Sequence, residues 1–271
     1  MTLLNSTDKQ IIKSTWLVGA STGIGASLIS ALDEANTQIF VSARHLNKIK
    51  ASFPKYAARI IPIELDVIDE ASVSAGISKM LAHTNHLDRV IINAGTCEYI
   101  DSKEIDIASV KRVMDTNFYG ALNIINASLP LIRAAKNIRE HPPQLVLVSS
   151  SVSYQALPRA GAYGASKVAI RYMMECLKLD LQHEGIDVRV VSPGFVKTPL
   201  TDKNDFPMPF RISSEEAAER IVKGLKGKRF DIHFPKRFTY ILKAISCLPD
   251  ALRFRLVGKS SRHIEDNPDL K

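Results

Sequence analysis

The sequence predicts an α/β fold, a doubly wound and mostly parallel sheet of seven strands with helices on both faces. Apolar strand-like runs alternate with segments of helical periodicity along most of the chain. The first run leads directly into a glycine-rich turn that opens a helix, the local pattern of a dinucleotide phosphate site. The 271 residues hold no internal repeat, low-complexity tract or linker-like Pro/Gly/Ser stretch. The chain therefore reads as one domain over 1–271, with a core from about residue 15 to 235 and a short, basic, helical extension from 236.

The first strand, Thr15-Trp-Leu-Val, runs into Gly19-Ala-Ser-Thr-Gly23-Ile-Gly25, with helical periodicity at Ile24, Leu28 and Leu32. Glycine allows a tight turn and close approach of the backbone to a phosphate, and the helix N-terminus attracts the charge. Gly19, Ser21, Thr22, Gly23, Ile24 and Gly25 are therefore candidate dinucleotide contacts. The second strand, Gln38 to Ser42, ends at Ala43-Arg44-His45. An NAD site would place an Asp or Glu near this point to bind the ribose hydroxyls. No acid lies between Ile39 and Lys50, and Arg44 can meet a 2′-phosphate, so the expected cofactor is NADP rather than NAD. A third strand, Arg59 to Leu65, ends at Asp66 and Val67, candidates for the adenine end, and a helix follows from Glu70 to about Leu81. The fourth, Arg89 to Ile92, reaches Asn93-Ala94-Gly95, a tight turn at the carboxyl edge, where open α/β sheets bind their ligands.

A helix over Val110 to Asp115 continues to Leu129 with an irregularity near Asn117. That asparagine has two readings, a satisfied core amide or the holder of an ordered water. The fifth strand, Leu145 to Val148, passes through a hydroxyl-rich turn into a helix carrying Tyr163 and Lys167. Four residues make just over one helical turn, so the two side chains share a face. A free phenol has a pKa of about 10, and an ammonium beside it favours the phenolate, which suits Tyr163 to exchange a proton with a substrate oxygen. Ser150, thirteen residues earlier at the strand end, could hydrogen-bond the oxygen on which charge develops. On the same helix Ile170, Met173, Met174, Leu177 and Leu181 read as core or subunit contacts. A sixth strand, Val188 to Val191, ends in Pro193-Gly194, which turns the backbone over the nicotinamide end, and then reaches Val196 and Thr198. Pro199 to Phe210 reads as an apolar substrate lid. Ser213 or Ser214 can cap a helix over Glu215 to Leu225. A last strand spans Arg229 to Phe234, and two amphipathic segments follow, Phe238 to Cys247 and Asp250 to Val257.

Taken together, Gly19-x-x-x-Gly23-x-Gly25, Asn93-Ala-Gly95, Asn117, Ser150, Tyr163-x-x-x-Lys167 and Pro193-Gly194 resemble the short-chain dehydrogenase/reductase family in its single-domain form, over roughly Thr15 to Phe234. The resemblance implies a Rossmann-like sheet and hydride transfer between nicotinamide and a carbonyl carbon, with Tyr163 as proton donor. Lys167 would lower the Tyr163 pKa and hold the nicotinamide ribose, Ser150 would orient the carbonyl, and Asn117 would keep a water that relays protons from Lys167. Tyr163, Lys167, Pro193, Gly194, Val196 and Thr198 would also touch the cofactor, and no metal is implied. Two positions depart from the family pattern: Ile92 precedes Asn93 where a second asparagine is usual, and Thr22 stands where some NADP-preferring members carry a basic residue.

The implied activity is NADP(H)-dependent reduction of a hydrophobic carbonyl compound, or oxidation of the secondary alcohol. The alternative is a regulatory protein that senses the cofactor without turnover, against which Asn117, Ser150, Tyr163 and Lys167 are all present. Tyr99, Val152, Tyr154, Phe195, Phe206, Met208 and Phe210 are candidates to line an apolar substrate. Three separated cysteines suggest a reducing compartment and no disulfide frame. The start of the chain lacks a secretory pattern, and the longest uncharged stretch, Thr116 to Ile132, is broken by three asparagines and a proline, so the expected location is cytoplasmic. The net charge of +8 is concentrated late: eleven Lys and Arg lie between Lys223 and Arg262 against Asp231 and Asp250. No nucleic-acid motif accompanies that charge. The basic segments fit peripheral contact with anionic lipid, cover over the cleft, or packing between subunits of a homodimer or homotetramer.

Overall fold

The structure is a computed structural model that describes residues 13–32, 37–47, 49, 59–138 and 141–259. The segment 1–12, Lys48 and Lys50 of the acid-free stretch, and the extension beyond 259 lie outside the described residues.

Seven strands form one sheet in the order β3-β2-β1-β4-β5-β6-β7. They are β1 (Lys13–Val18), β2 (Thr37–Ala43), β3 (Ile60–Glu64), β4 (Arg89–Ile92), β5 (Gln144–Val148), β6 (Asp187–Pro193) and β7 (Asp231–Phe234). Every pairing is parallel, so the sheet is wholly rather than mostly parallel. A parallel sheet needs cover on both faces, and its strands then read as unbroken apolar runs. All five residues of β5 are buried, as are five of six in β1.

The helices among the described residues are α1 (Gly23–Ala31), α2 (Glu70–Leu81), α3 (Ile107–Met114), α4 (Gly120–Lys136), α5 (Gly161–Leu181), α6 (Ser214–Leu225), α7 (Lys236–Ser246) and α8 (Asp250–Gly258). One face of the sheet is covered by α1 and α6, whose Leu28, Ile29 and Ile221 meet Leu17, Val41 and Val146. The other is covered by α2, α4 and α5, whose Val73, Ile124 and Ile170 meet Trp16, Val90 and Leu145. The strand order reverses between β1 and β4, which opens a crevice at their carboxyl ends.

Local chemistry explains the boundaries. Asp69 Oδ1 accepts the N–H groups of Ala71 (2.9 Å) and Ser72 (3.2 Å) to start α2. Ser213, of the two candidate serines, caps α6 by accepting from the Glu216 N–H at 3.1 Å. The irregularity expected near Asn117 is a π-helical turn over Asp115–Tyr119, in which the Gly120 N–H reaches back five residues to the Asp115 carbonyl. It joins α3, which begins at Ile107 rather than Val110, to α4.

The extension is not separate from the fold. Phe238, Thr239 and Leu242 of α7 are buried, and the Phe238 ring lies against Gly194, where an added Cβ would come within 2.8 Å of its Cδ1. The Lys243 ammonium donates to Asp231 Oδ2 at 3.0 Å. This helix backs the turn that follows β6.

Candidate active site

The glycine turn is fixed by its neighbours. Gly19 has φ +84°, and a Cβ there would stand 2.5 Å from the Ala94 nitrogen; at Gly25 a Cβ would collide with the Gly19 carbonyl oxygen. Asn93 Nδ2 donates to that carbonyl at 2.7 Å, and the Gly19 N–H donates to Ser42 O at 2.8 Å. The turns after β1, β2 and β4 are thereby locked together. Thr22, the residue before α1, makes no side-chain cap, and α1 has no acid in its first turn. Its leading N–H groups are left for an anion.

The crevice holds a cleft of about 480 Å³. Gly19, Ser21, Thr22, Gly23 and Ile24 line it together with Asp66, Val67, Asn93, Ala94 and Gly95. Thr198 closes it from above, its Cγ2 2.9 Å from where a Cβ of Gly23 would stand. Arg44 lies at the rim, exposed, with no hydrogen bond or ion pair among the described residues. Asp66 Oδ1 accepts the Ile68 N–H at 3.2 Å. Sequence reasoning missed Glu98 and Arg112, which also line the cleft and pair at 2.6 Å. Both fall in stretches without a motif.

The expected catalytic side chains do not line this cleft; Lys167 adjoins it beneath Gly95, one of the residues that do. Ser150, at the end of β5, acts on the Tyr163 phenol to lower its pKa, and its Oγ accepts from the Val152 N–H at 3.3 Å. Lys167 is buried beneath Gly95, its Nζ donating to Val148 O at 3.2 Å and standing 5.7 Å from the centre of the Tyr163 ring. Burial drives the ammonium down to about 8, a shift the Cys97 thiol opposes. Burial, followed by Cys97, pushes the Tyr163 phenol above its ordinary value, against the lowering effect of the Ser150 bond. Burial dominates the Tyr163 phenol in the protein alone, and a lowering by Lys167 stays an expectation. Both groups share one desolvated site, and Lys167 is tied to Val148 rather than to the phenol. Tyr163 holds its proton, as a proton donor must.

The Asn117 side chain is a satisfied amide. Its Nδ2 donates to Thr96 O and to Ser166 Oγ, each at 2.9 Å, and its Oδ1 accepts the Thr96 N–H at 2.8 Å. Ser166 Oγ in turn donates to the Tyr163 carbonyl at 2.7 Å. With both of its N–H groups committed, the side chain holds the Gly95-Thr96 turn against the Tyr163 helix. Ser166 and Cys97 are the residues sequence reasoning missed here. Cys97, whose thiol burial pushes up to about 11, acts on both Tyr163 and Lys167.

Of the predicted substrate-side residues, Tyr99, Phe195 and Phe206 form an aromatic cluster, with ring centres 5.6 Å apart for Tyr99–Phe206 and 6.1 Å for Phe195–Phe206. Tyr99 donates to Asn204 Oδ1 at 2.9 Å. Asn204 Nδ2 donates to Met208 Sδ at 3.3 Å, Val152 is buried, and Phe210 is exposed. Tyr154 is different: its hydroxyl donates to Asp231 Oδ2 at 2.6 Å, in a network with Ser192, Arg171 and Lys243, so it braces β7 rather than presenting itself to a substrate. Pro193, Gly194 and Val196, expected to touch the cofactor, do not line this cleft, and the Gly194 N–H donates to Phe234 O at 2.7 Å.

A family model described as short chain dehydrogenase matches residues 13–207. The chain belongs to that family. It is an oxidoreductase of the short-chain dehydrogenase/reductase type. It is 32% identical over 243 residues to an "Uncharacterized oxidoreductase" of Myxococcus xanthus, covering 89% of this chain and 94% of that one. Its fold is similar to a short chain dehydrogenase from Burkholderia cenocepacia in complex with NADP (TM-score 0.77, 24% identity, 91% of this chain and 99% of that one). It is also similar to one from Burkholderia phymatum in complex with NAD (TM-score 0.77, 16% identity, 88% and 94%). Among the described residues, no helix is long and apolar enough to cross a membrane.

Proposed function

We propose that this enzyme reduces the carbonyl of a hydrophobic small molecule with NADPH, Tyr163 giving the proton. The observation that carries the reading is the meeting of Tyr163 with the buried Lys167, whose Nζ stands 5.7 Å from the Tyr163 ring centre beneath Gly95, a residue of the cleft that also bears Arg44, unpaired among the described residues. The cleft fits a dinucleotide: the bare N-terminus of α1 suits a pyrophosphate, and a Cβ at Gly19 or Gly25 would fill the turn that must approach it. Arg44 suits the 2′-phosphate of NADP, since none of the residues lining the cleft from β2 is acidic. Relatives of this fold hold either NADP or NAD, so the preference rests on Arg44.

When bound, the nicotinamide supplies the hydride. Ser150 donates a hydrogen bond that fixes the carbonyl oxygen, and Tyr163 transfers its hydroxyl proton to that oxygen as charge builds there. Lys167, from beneath, stabilises the phenolate left behind, because its ammonium then faces an anion rather than a neutral phenol. Asn117 and Ser166 keep Gly95 and the Tyr163 backbone in register. Tyr99, Phe195 and Phe206 favour an apolar substrate. Along one side of α5 the chain exposes Val168, Tyr172 and Leu179, spacing that supports pairing with a second copy.

The test is Tyr163→Phe, assayed with NADPH and a panel of hydrophobic ketones. NADPH binding should persist while turnover falls by about 10²–10⁴-fold. Unchanged turnover would remove Tyr163 from its role. Absence of turnover by the wild type with every carbonyl, alongside tight NADPH binding, would favour the sensing role instead.

A further inference from the structure

The helix α7 has two apolar sides. Phe238 and Leu242 face inward and are buried, while Tyr240 and Ile241, on the opposite side, are 54% and 49% exposed. Arg237 precedes them on that outward side, and the Lys236 ammonium stands 5.7 Å from the centre of the Tyr240 ring. The next helix, α8, buries none of its nine residues although Leu252, Phe254 and Leu256 are among them, exposed by 46%, 57% and 46%. A nine-residue helix has too little intrinsic stability to persist without packing of some face. Among the described residues α7 buries Phe238, Thr239 and Leu242, whereas α8 buries no residue.

The charge on this surface is one-sided. From Lys236 to Lys259 there are six basic residues and one acid, Asp250. Asp250 is taken by Arg253 at 2.6 Å, and Lys243 is taken by Asp231. Arg237, Arg255 and Lys259 have no acidic partner among the described residues. Exposed aliphatic and aromatic side chains interleaved with unpaired cations match the boundary between lipid headgroups and acyl chains, where tyrosine and phenylalanine sit at the interface and lysine and arginine reach to phosphate. A solvated surface would not need the apolar side chains, and an acidic protein partner would need no such scatter of them over two helices.

We propose that α7 and α8 form a peripheral docking surface for an anionic lipid bilayer. Tyr240, Ile241, Leu252, Phe254 and Leu256 enter the headgroup region, and Arg237, Arg255 and Lys259 pair with lipid phosphates. The surface is set on the substrate side of the molecule, because the inward side of α7 places Phe238 5.2 Å from the Phe195 ring of the aromatic cluster. Its lipid binding does not depend on the reaction assigned to the cleft.

The test is co-sedimentation of the full chain with vesicles of phosphatidylcholine alone or of phosphatidylcholine and phosphatidylserine in equal parts. The wild type should bind the anionic vesicles at least about tenfold more tightly, with the preference fading at high salt. The triple variant Arg237→Glu/Arg255→Glu/Lys259→Glu alters only exposed, unpaired side chains and should lose that preference with an unchanged melting temperature. Ile241→Ser/Phe254→Ser should weaken binding on its own. Equal pelleting of wild type and triple variant, or no pelleting of the wild type, overturns the proposal. So does light scattering that shows these residues joining two copies in solution without vesicle binding.

Discussion

Replacing Asn117 with alanine isolates what a buried amide does for this site. The side chain is 1% exposed and makes three hydrogen bonds, two to the backbone of Thr96 and one to Ser166, at 2.8 to 2.9 Å. A typical buried hydrogen bond contributes about 1 kcal/mol net, and leaving its partner unsatisfied costs about 1–3 kcal/mol. Thr96 is half-buried, so water can replace part of what it loses, whereas Ser166 keeps its bond to the Tyr163 carbonyl. The loss should be about 2–4 kcal/mol, which for a chain of this length lowers the melting temperature by roughly 5–15 °C. Thermal unfolding followed by circular dichroism measures it. Turnover assayed well below the transition should also fall, because the Gly95-Thr96 turn is released from the Tyr163 helix. Asn117→Asp should be worse in both respects, since a carboxylate has no donor for the Thr96 carbonyl and buries a charge. A melting temperature within about 2 °C of wild type for Asn117→Ala would refute the reasoning.

Three further outcomes follow from the same structure. Lys167 is held at about 8 by burial, below a free lysine near 10.4, so the unfolded chain binds this proton more tightly and stability should rise as pH climbs between those values. Lys167→Met removes a charge whose burial costs about 3 kcal/mol at neutral pH and forfeits one bond to Val148; it should raise the melting temperature by several degrees at pH 7 while turnover collapses. A lower melting temperature would contradict this. Asp231 is held below the usual carboxylate range: burial acts to raise it but is outweighed by the bond from Tyr154, the Arg171 charge and the bonds from Lys243 and Ser192. The stability it contributes is therefore present above a free aspartate's pKa and lost as pH falls through its own lower value. Asp231→Asn should flatten acid unfolding in that window, and an unaltered acid limb counts against the network. Tyr172→Lys, on the exposed side of α5, should shift the protein toward monomer in sedimentation velocity, and an unchanged profile places any self-association elsewhere.

Much of the fold was legible because a parallel sheet covered on both faces forces apolar runs into its strands. Arg89 to Ile92 and the helix from Glu70 to Leu81 coincide with β4 and α2, and the break near Asn117 is a π-turn. The glycine turn was legible for a steric reason, since no side chain fits at position 19 against the Ala94 backbone. What escaped the sequence depends on side chains brought together over long separations. Tyr154 reads as a pocket aromatic by its place after Ser150, yet Asp231, seventy-seven residues away, draws its hydroxyl inward. Asn117 keeps a motif position while its side chain answers to Thr96 and Ser166. Cys97 carries no local signal at all; only the fold sets it beside Tyr163 and Lys167. The burial that shifts Tyr163 and Lys167 was not legible either, because spacing shows which face two residues share and not how far both are desolvated.

The most direct test of the account is a titration of the purified protein with NADPH and with NADH, following dihydronicotinamide fluorescence, for wild type and Arg44→Ala in parallel. A charge-assisted bond from Arg44 to a 2′-phosphate is worth about 1.5–3 kcal/mol, so NADPH should bind at least about tenfold more tightly than NADH, and the substitution should abolish that difference while leaving NADH affinity unchanged. Equal affinities in the wild type, or a preference that survives Arg44→Ala, would contradict the NADP assignment. Failure of both cofactors to bind would contradict the proposed function itself.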